Sequence, residues 1–195
     1  DQKDQNTYVA GVERMYRGLY EFAMEKAGTE LPLVAMGHLH VLGAELSDDD
    51  RSERVIMCGL ESVTSDSFPR ELAYTALGHI HKLNYNTEEN QRIVYPGSTI
   101  SLGFDELGQH GMIVGELEKD KINLKFIPVD NKELKEINVE VTNINDKEEL
   151  VEKLNSLQLE ENILYKVILI GKRKFEINIY NLYKLNIDDR IVKIK

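Results

Sequence analysis

The chain carries one cysteine, Cys58, no tryptophan and only four prolines in 195 residues. One cysteine makes no internal disulfide and no cysteine-rich zinc site, so the fold must rest on its core and any metal must find other ligands. A reducing, cytoplasmic setting is the natural expectation. Long hydrophobic runs are also missing: the longest, such as Val55–Cys58 and Val167–Ile170, are strand-sized, whereas a spanning helix needs roughly 18 to 20 apolar residues. A soluble protein with no membrane partner is expected. Positive charge is scarce, with 24 Lys and Arg against 34 Asp and Glu and a net charge of −10. That provides no basic stripe to hold nucleic acid by counterion release. Bound cations would supply positive charge where chemistry occurs, so the deficit weakens a nucleic-acid reading and leaves it open. The start, Asp1-Gln2-Lys3-Asp4, has neither an initiator Met nor an apolar signal segment, which suggests a fragment of a longer chain.

What is present is an ordinary globular balance, 42% hydrophobic and 30% charged, enough for one domain or two small ones. Val9, Val12, Met15, Tyr16, Leu19, Phe22 and Ala23 recur at helical spacing, and Gly28 is placed to end that helix. The run from Leu31 to His38 lacks alternation, as expected of a parallel strand buried on both faces. A polar loop over 45–53 and further strands at Arg54–Cys58, Leu72–Gly78 and Arg92–Tyr95 come next, the last leading into a Pro96-Gly97 turn. This region reads as α/β. From about Gly111 the pattern alternates, first at Ile122, Leu124 and Phe126 and then at Ile137, Val139 and Val141, which predicts half-buried antiparallel strands. Asp146 should cap a helix reaching Leu157, with Leu150, Leu154 and Leu157 on one face, and a buried strand should span Ile163–Ile170. Only three of the 16 lysines, but six of the eight arginines, precede residue 115. A domain boundary near residue 130 is expected, dividing the chain into 1–130 and a small α+β unit over 131–195; a join of two sequences would give the same shift.

Three of the five histidines lie in two near-copies of one phrase, Ala35-Met36-Gly37-His38-Leu39-His40 and Ala76-Leu77-Gly78-His79-Ile80-His81. Each closes an apolar strand, and ligand sites in open α/β sheets gather outside the carboxyl ends of strands. Glycine before histidine would let the backbone turn and bring an imidazole to a metal. On an extended backbone His79 and His81 would point to one side, about 7 Å apart at Cα, a spacing suited to two ions roughly 3.5 to 4 Å apart. His40 is a weaker candidate, and His110, between Gln109 and Gly111, is expected in a solvated turn. Cys58 reads as a small buried hydrophobe.

In these phrases, together with Ser65–Pro69, Tyr95-Pro96-Gly97-Ser98 and Phe104-Asp105-Glu106, the sequence resembles the calcineurin-like metallophosphoesterases, and among them bacterial DNA-processing nuclease subunits. The resemblance covers roughly residues 7–130 and implies the second half of a metallophosphoesterase sandwich, followed by a small, DNA-contacting capping domain. It further implies that His38 and His79 ligate one divalent ion and His81 a second, with Mn²⁺ the expected metal. Two such ions polarise a phosphodiester and activate water. DNA, an ATPase partner subunit and a homodimer come with the same resemblance, as do roles in DNA repair and recombination. The family's Asp-x-His strand, bridging Asp and Asn-His-Asp segment do not occur before these phrases. The chain alone is therefore expected to be inactive, its site completed only in a full-length parent.

Smaller features remain open at this level. Ser98 and Asp105 are weak substrate-binding candidates, a phosphate contact for the hydroxyl and a substrate-facing loop for the carboxylate, against an ordinary turn and a solvated charge. Lys172-Arg173-Lys174 is a short basic run that could meet a DNA backbone. Two other functions share the histidine phrases: a phosphatase or small-molecule phosphodiesterase, and a non-catalytic scaffold or binding module. An Asp-x-His and Asn-His-Asp series upstream would discriminate in favour of an enzyme.

Overall fold

The computed structural model describes residues 2–28, 30–44, 62–84, 92–119, 121–182 and 184–195. Cys58, the strand expected over 54–58 and the polar loop over 45–53 lie outside the described residues. The chain divides into two compact units, Asp1–Ile100 with His110–Val129, and Ser101–Gln109 with Asp130–Lys195.

In the first unit, helix α1 (Gln2–Ala27) closes as expected at Gly28, whose φ of +74° permits its N–H to reach Met24 O at 3.0 Å. Its buried stripe is narrower than the apolar periodicity suggests. Val12 and Tyr16 enter the core with Tyr8 and Tyr20 packed beside them, while Met15, Leu19 and Phe22 remain exposed. Strands β1 (Val34–His38), β4 (Tyr74–Gly78) and β5 (Ile93–Val94) form a parallel sheet in the order β1-β4-β5. A second parallel pair joins β2 (His40–Val41) to β3 (Ser62–Val63). β6 (Gly111–Leu117) and β7 (Ile122–Pro128) make the antiparallel hairpin that the alternation predicts.

β1 is parallel, but it is not buried on both faces. Among the described residues it stands at one edge of its sheet, and Val34 and Met36 are exposed, Met36 at 79%. The central strand β4, flanked on both sides, buries Thr75 and Leu77 and half-buries the rest. Apolar content alone does not separate these two situations.

In the second unit, β8 (Glu133–Glu140), α2 (Lys147–Asn155) and β9 (Ile163–Ile170) form a βαβ crossover, with β10 (Ile191–Ile194) on the far side of β9. All three strands are parallel. This corrects the antiparallel reading of Ile137, Val139 and Val141: the intervening helix supplies the crossover that parallel pairing requires. Asp146 caps α2 by accepting from the Glu149 N–H at 2.9 Å, and Leu150 and Leu154 are fully buried against Val139, Val167 and Ile191. Leu182, from the short helix α3 (Ile179–Leu182), closes this core. Before β10, the Arg190 guanidinium grips both oxygens of Asp188 and holds its carboxyl down at about 2. The architecture is α/β in character, and no helix among the described residues is long and apolar enough to cross a membrane.

Candidate functional site

The pairing of β1 with β4 sets His38 opposite Gly78. His79, the next residue, therefore emerges beside His38, and the two imidazoles meet edge to face with ring centroids 5.2 Å apart. The first Gly-His of each phrase is thus joined to the other by sheet register.

The glycines act differently from the turn-forming role expected of them. Neither Gly37 nor Gly78 has a positive φ; the left-handed residue is His79 itself, at φ +95°. The glycines provide room. A Cβ at Gly78 would stand 3.0 Å from His38 Nδ1, and one at Gly37 would fall on the Tyr16 hydroxyl. That hydroxyl donates to Met36 O at 2.9 Å, and the Tyr16 ring packs on Phe68 at 4.8 Å. Because the chain turns out of the strand at His79, the extended geometry that would align His79 with His81 does not hold.

Ile80 anchors the chain immediately after that turn. At 2% exposure it plugs the first core between two histidines, a burial that contributes about 2 to 3 kcal/mol. Leu39 packs against the same core between His38 and His40. The buried Tyr95 hydroxyl donates to Leu39 O at 2.6 Å and accepts from Val41 N–H at 2.9 Å. Burial pushes this phenol up to about 12. Sequence reasoning missed Tyr95 and Tyr16 as positioning groups; their type was visible, but the backbone atoms their hydroxyls reach depend on the folded path.

The His38–His79 ring separation of 5.2 Å can be compared with that of two imidazoles sharing a cation. Two imidazoles on one ion, with bonds of about 2.0 to 2.1 Å, place their centroids about 5 Å apart. His81 does not complete a set: among the described residues no group of three or more His, Cys, Asp or Glu side chains is placed to hold a metal ion. The His81 carbonyl accepts from the Ser98 N–H at 2.9 Å. His40 sits in β2, with Nδ1 3.0 Å from Ser62 Oγ. His110 is not the solvated turn residue expected; it is 6% exposed, and its Nδ1 lies 2.7 Å from Ser98 Oγ. The Ser98 hydroxyl is thereby engaged within the protein. Asp105 is exposed, whereas its neighbour Glu106 is buried and accepts from Leu102 N–H at 3.0 Å, so that carboxylate shapes its loop instead of facing solvent.

No protein-family model matches the chain. Curated proteins do. The chain is 37% identical over 92 residues to the SbcD subunit of nuclease SbcCD from Rhodobacter capsulatus, covering 47% of this chain and 22% of that protein. It is 34% identical over 106 residues to the SbcD protein of Escherichia coli K12, covering 54% and 26%. With the Bacillus subtilis SbcD the identity is 29% over 92 residues, covering 47% and 23%. Over about half its length the chain is therefore similar to part of SbcD, and it spans about a quarter of the length of the curated relatives it matches.

Proposed function

We propose that this sequence supplies the histidine-bearing part of a metal-dependent DNA nuclease subunit of the SbcD kind. The reading gives the first unit the place of the second half of a metallophosphoesterase sandwich and the second unit that of a capping domain. The observation that carries it is the His38–His79 pair, edge to face at 5.2 Å at the carboxyl ends of two paired parallel strands. Those are the positions where metallophosphoesterases hold an ion.

In this reading His38 and His79 hold one divalent ion and His81 contributes to a second, with Mn²⁺ the proposed metal. Bound divalent ions supply Lewis-acid polarisation of a phosphodiester and a water of lowered pKa. The histidines are ligands and move no proton. Ser98, engaged with His110, serves the loop, and a phosphate contact through its hydroxyl is not part of the proposal. The relatives are named as one subunit of the SbcCD nuclease, which supports an SbcC-type ATPase as partner; DNA is the substrate, with a homodimer of the full-length protein and a cytoplasmic setting completing the proposal.

Cleavage of DNA with Mn²⁺, by a full-length protein carrying this sequence, tests the reading. His38→Ala, His79→Ala and His81→Ala should each abolish cleavage with the fold retained, and His40→Ala should act more mildly. The isolated 195-residue chain should cleave nothing, since among the described residues no carboxylate joins the histidine pair in a group of three or more side chains able to hold a metal ion. Near-normal turnover by His38→Ala would refute that ligand. A parent that ignores DNA but hydrolyses small phosphoesters would establish the phosphodiesterase alternative.

A further inference from the structure

We infer that the segment Tyr95–Ser98 is a brace that sets the His38–His79 pairing, with Tyr95 as the positioning residue that ties the two histidine phrases together. Its purpose, presenting two imidazoles to one cation, rests on the function proposed above; its geometry does not.

The segment runs alongside the second phrase. Tyr95 and Asn84 exchange both backbone hydrogen bonds at 3.0 Å, and three residues on the Ser98 N–H reaches His81 O at 2.9 Å. Between them Gly97, at φ +78°, lies so close that a Cβ would stand 2.6 Å from the same His81 carbonyl. The path of the chain leaving His79 is therefore held from one side along its length. A residue at a φ of +95° persists only where its surroundings over-determine it, and this contact provides that constraint.

From the same segment the Tyr95 side chain crosses to the first phrase. Its hydroxyl uses donor and acceptor together, on Leu39 O and Val41 N–H, the groups that flank His40 and directly follow His38. The far end is secured in turn, because Ser98 Oγ meets the buried His110 ring at 2.7 Å. One short stretch thus touches the backbone after each paired histidine. A phenylalanine at position 95 would fill the same space, so its effect would come from two backbone groups, the buried Val41 N–H and the part-buried Leu39 O, left without this partner. The segment Leu39–Val41 would have to shift to satisfy them, carrying His38 with it.

The experiment is solution NMR on the isotope-labelled 195-residue chain, metal-free, followed by titration with Mn²⁺ alone. The native chain should show a nuclear Overhauser effect between the His38 and His79 rings. Tyr95→Phe and Gly97→Ala should each retain cooperative unfolding, lose that effect and bind Mn²⁺ about tenfold or more weakly, as loss of an outer-shell support does. Persistence of the ring-to-ring effect in either folded variant overturns the brace, as does its absence from the native chain. Should one variant not fold, the other decides; should neither fold, the segment is a determinant of the fold as a whole and the positioning claim fails. If the effect is lost in the variants while the native chain binds no Mn²⁺, or binds it equally well after His38→Ala, the brace stands and the metal reading falls.

Discussion

Gly78 carries the His38 imidazole directly above its Cα, so that a Cβ placed there would stand 3.0 Å from His38 Nδ1. The ring is exposed and can yield, whereas β4 beneath it is paired with β1 as far as Gly78 and with β5 over Thr75 and Ala76. Gly78→Ala should therefore displace the side chain and not the sheet. Thermal unfolding should change by less than about 1 kcal/mol, while the ring-to-ring contact with His79 weakens and Mn²⁺ affinity falls. A variant with native affinity would show that His38 finds its place without Gly78.

His79 at φ +95° gives a prediction of unusual sign. Replacing a residue by glycine ordinarily costs about 0.5 to 1 kcal/mol relative to alanine through lost chain entropy. At this backbone angle an L side chain is strained by about 1 to 3 kcal/mol, and glycine alone escapes it. His79→Gly should therefore unfold at a higher temperature than His79→Ala, by roughly 1 kcal/mol in stability. Equal or reversed stabilities would mean that the left-handed conformation relaxes once the imidazole is gone.

The sequence displayed the residues of this region more completely than their geometry. Repetition of Gly-His after two apolar strands marked His38 and His79 as neighbours, because parallel pairing sets matching strand ends side by side. The same phrase misled about the role of glycine, since a requirement for room and a requirement for positive φ leave identical residues behind. His110 looked like a turn residue because its neighbours are Gln109 and Gly111; only folding reveals that Ser98 reaches it. Likewise the alternation at Ile137, Val139 and Val141 gave a half-buried strand, but alternation is silent on the direction of the partner.

Gly37 and Tyr16 form a test of packing by double substitution. A Cβ at position 37 would fall on the Tyr16 hydroxyl, which donates to Met36 O and is carried on a ring packed against Phe68, so it cannot easily retreat. Gly37→Ala should cost about 1 to 3 kcal/mol as an overpacked core does, and Tyr16→Phe about 1 kcal/mol for its hydrogen bond. The double variant should be more stable than the sum of these losses, because removing the hydroxyl removes the clash. Chemical denaturation of the four proteins measures the coupling. Simple additivity would show that the two positions do not meet.

Tyr95 makes the fold sensitive to alkaline pH. Burial raises its phenol from the ordinary 10.0 to about 12, with the Val41 N–H pulling in the opposite direction. The folded state thus binds its proton more tightly than the unfolded state. The resulting stability is fully present below pH 10, declines as the pH rises, and is gone above about pH 12. At about 1.4 kcal/mol for each tenfold difference in proton affinity, the total is of the order of 3 kcal/mol. Ionisation would also remove the proton that the hydroxyl donates to Leu39 O, so the first histidine phrase should loosen over the same interval. Denaturation curves of the native chain and Tyr95→Phe, compared between about pH 9 and 12, isolate the effect from that of the other tyrosines. The native chain should lose stability more steeply over this range; parallel curves would mean that the hydroxyl ionises at the ordinary value and is not buried on Leu39 and Val41.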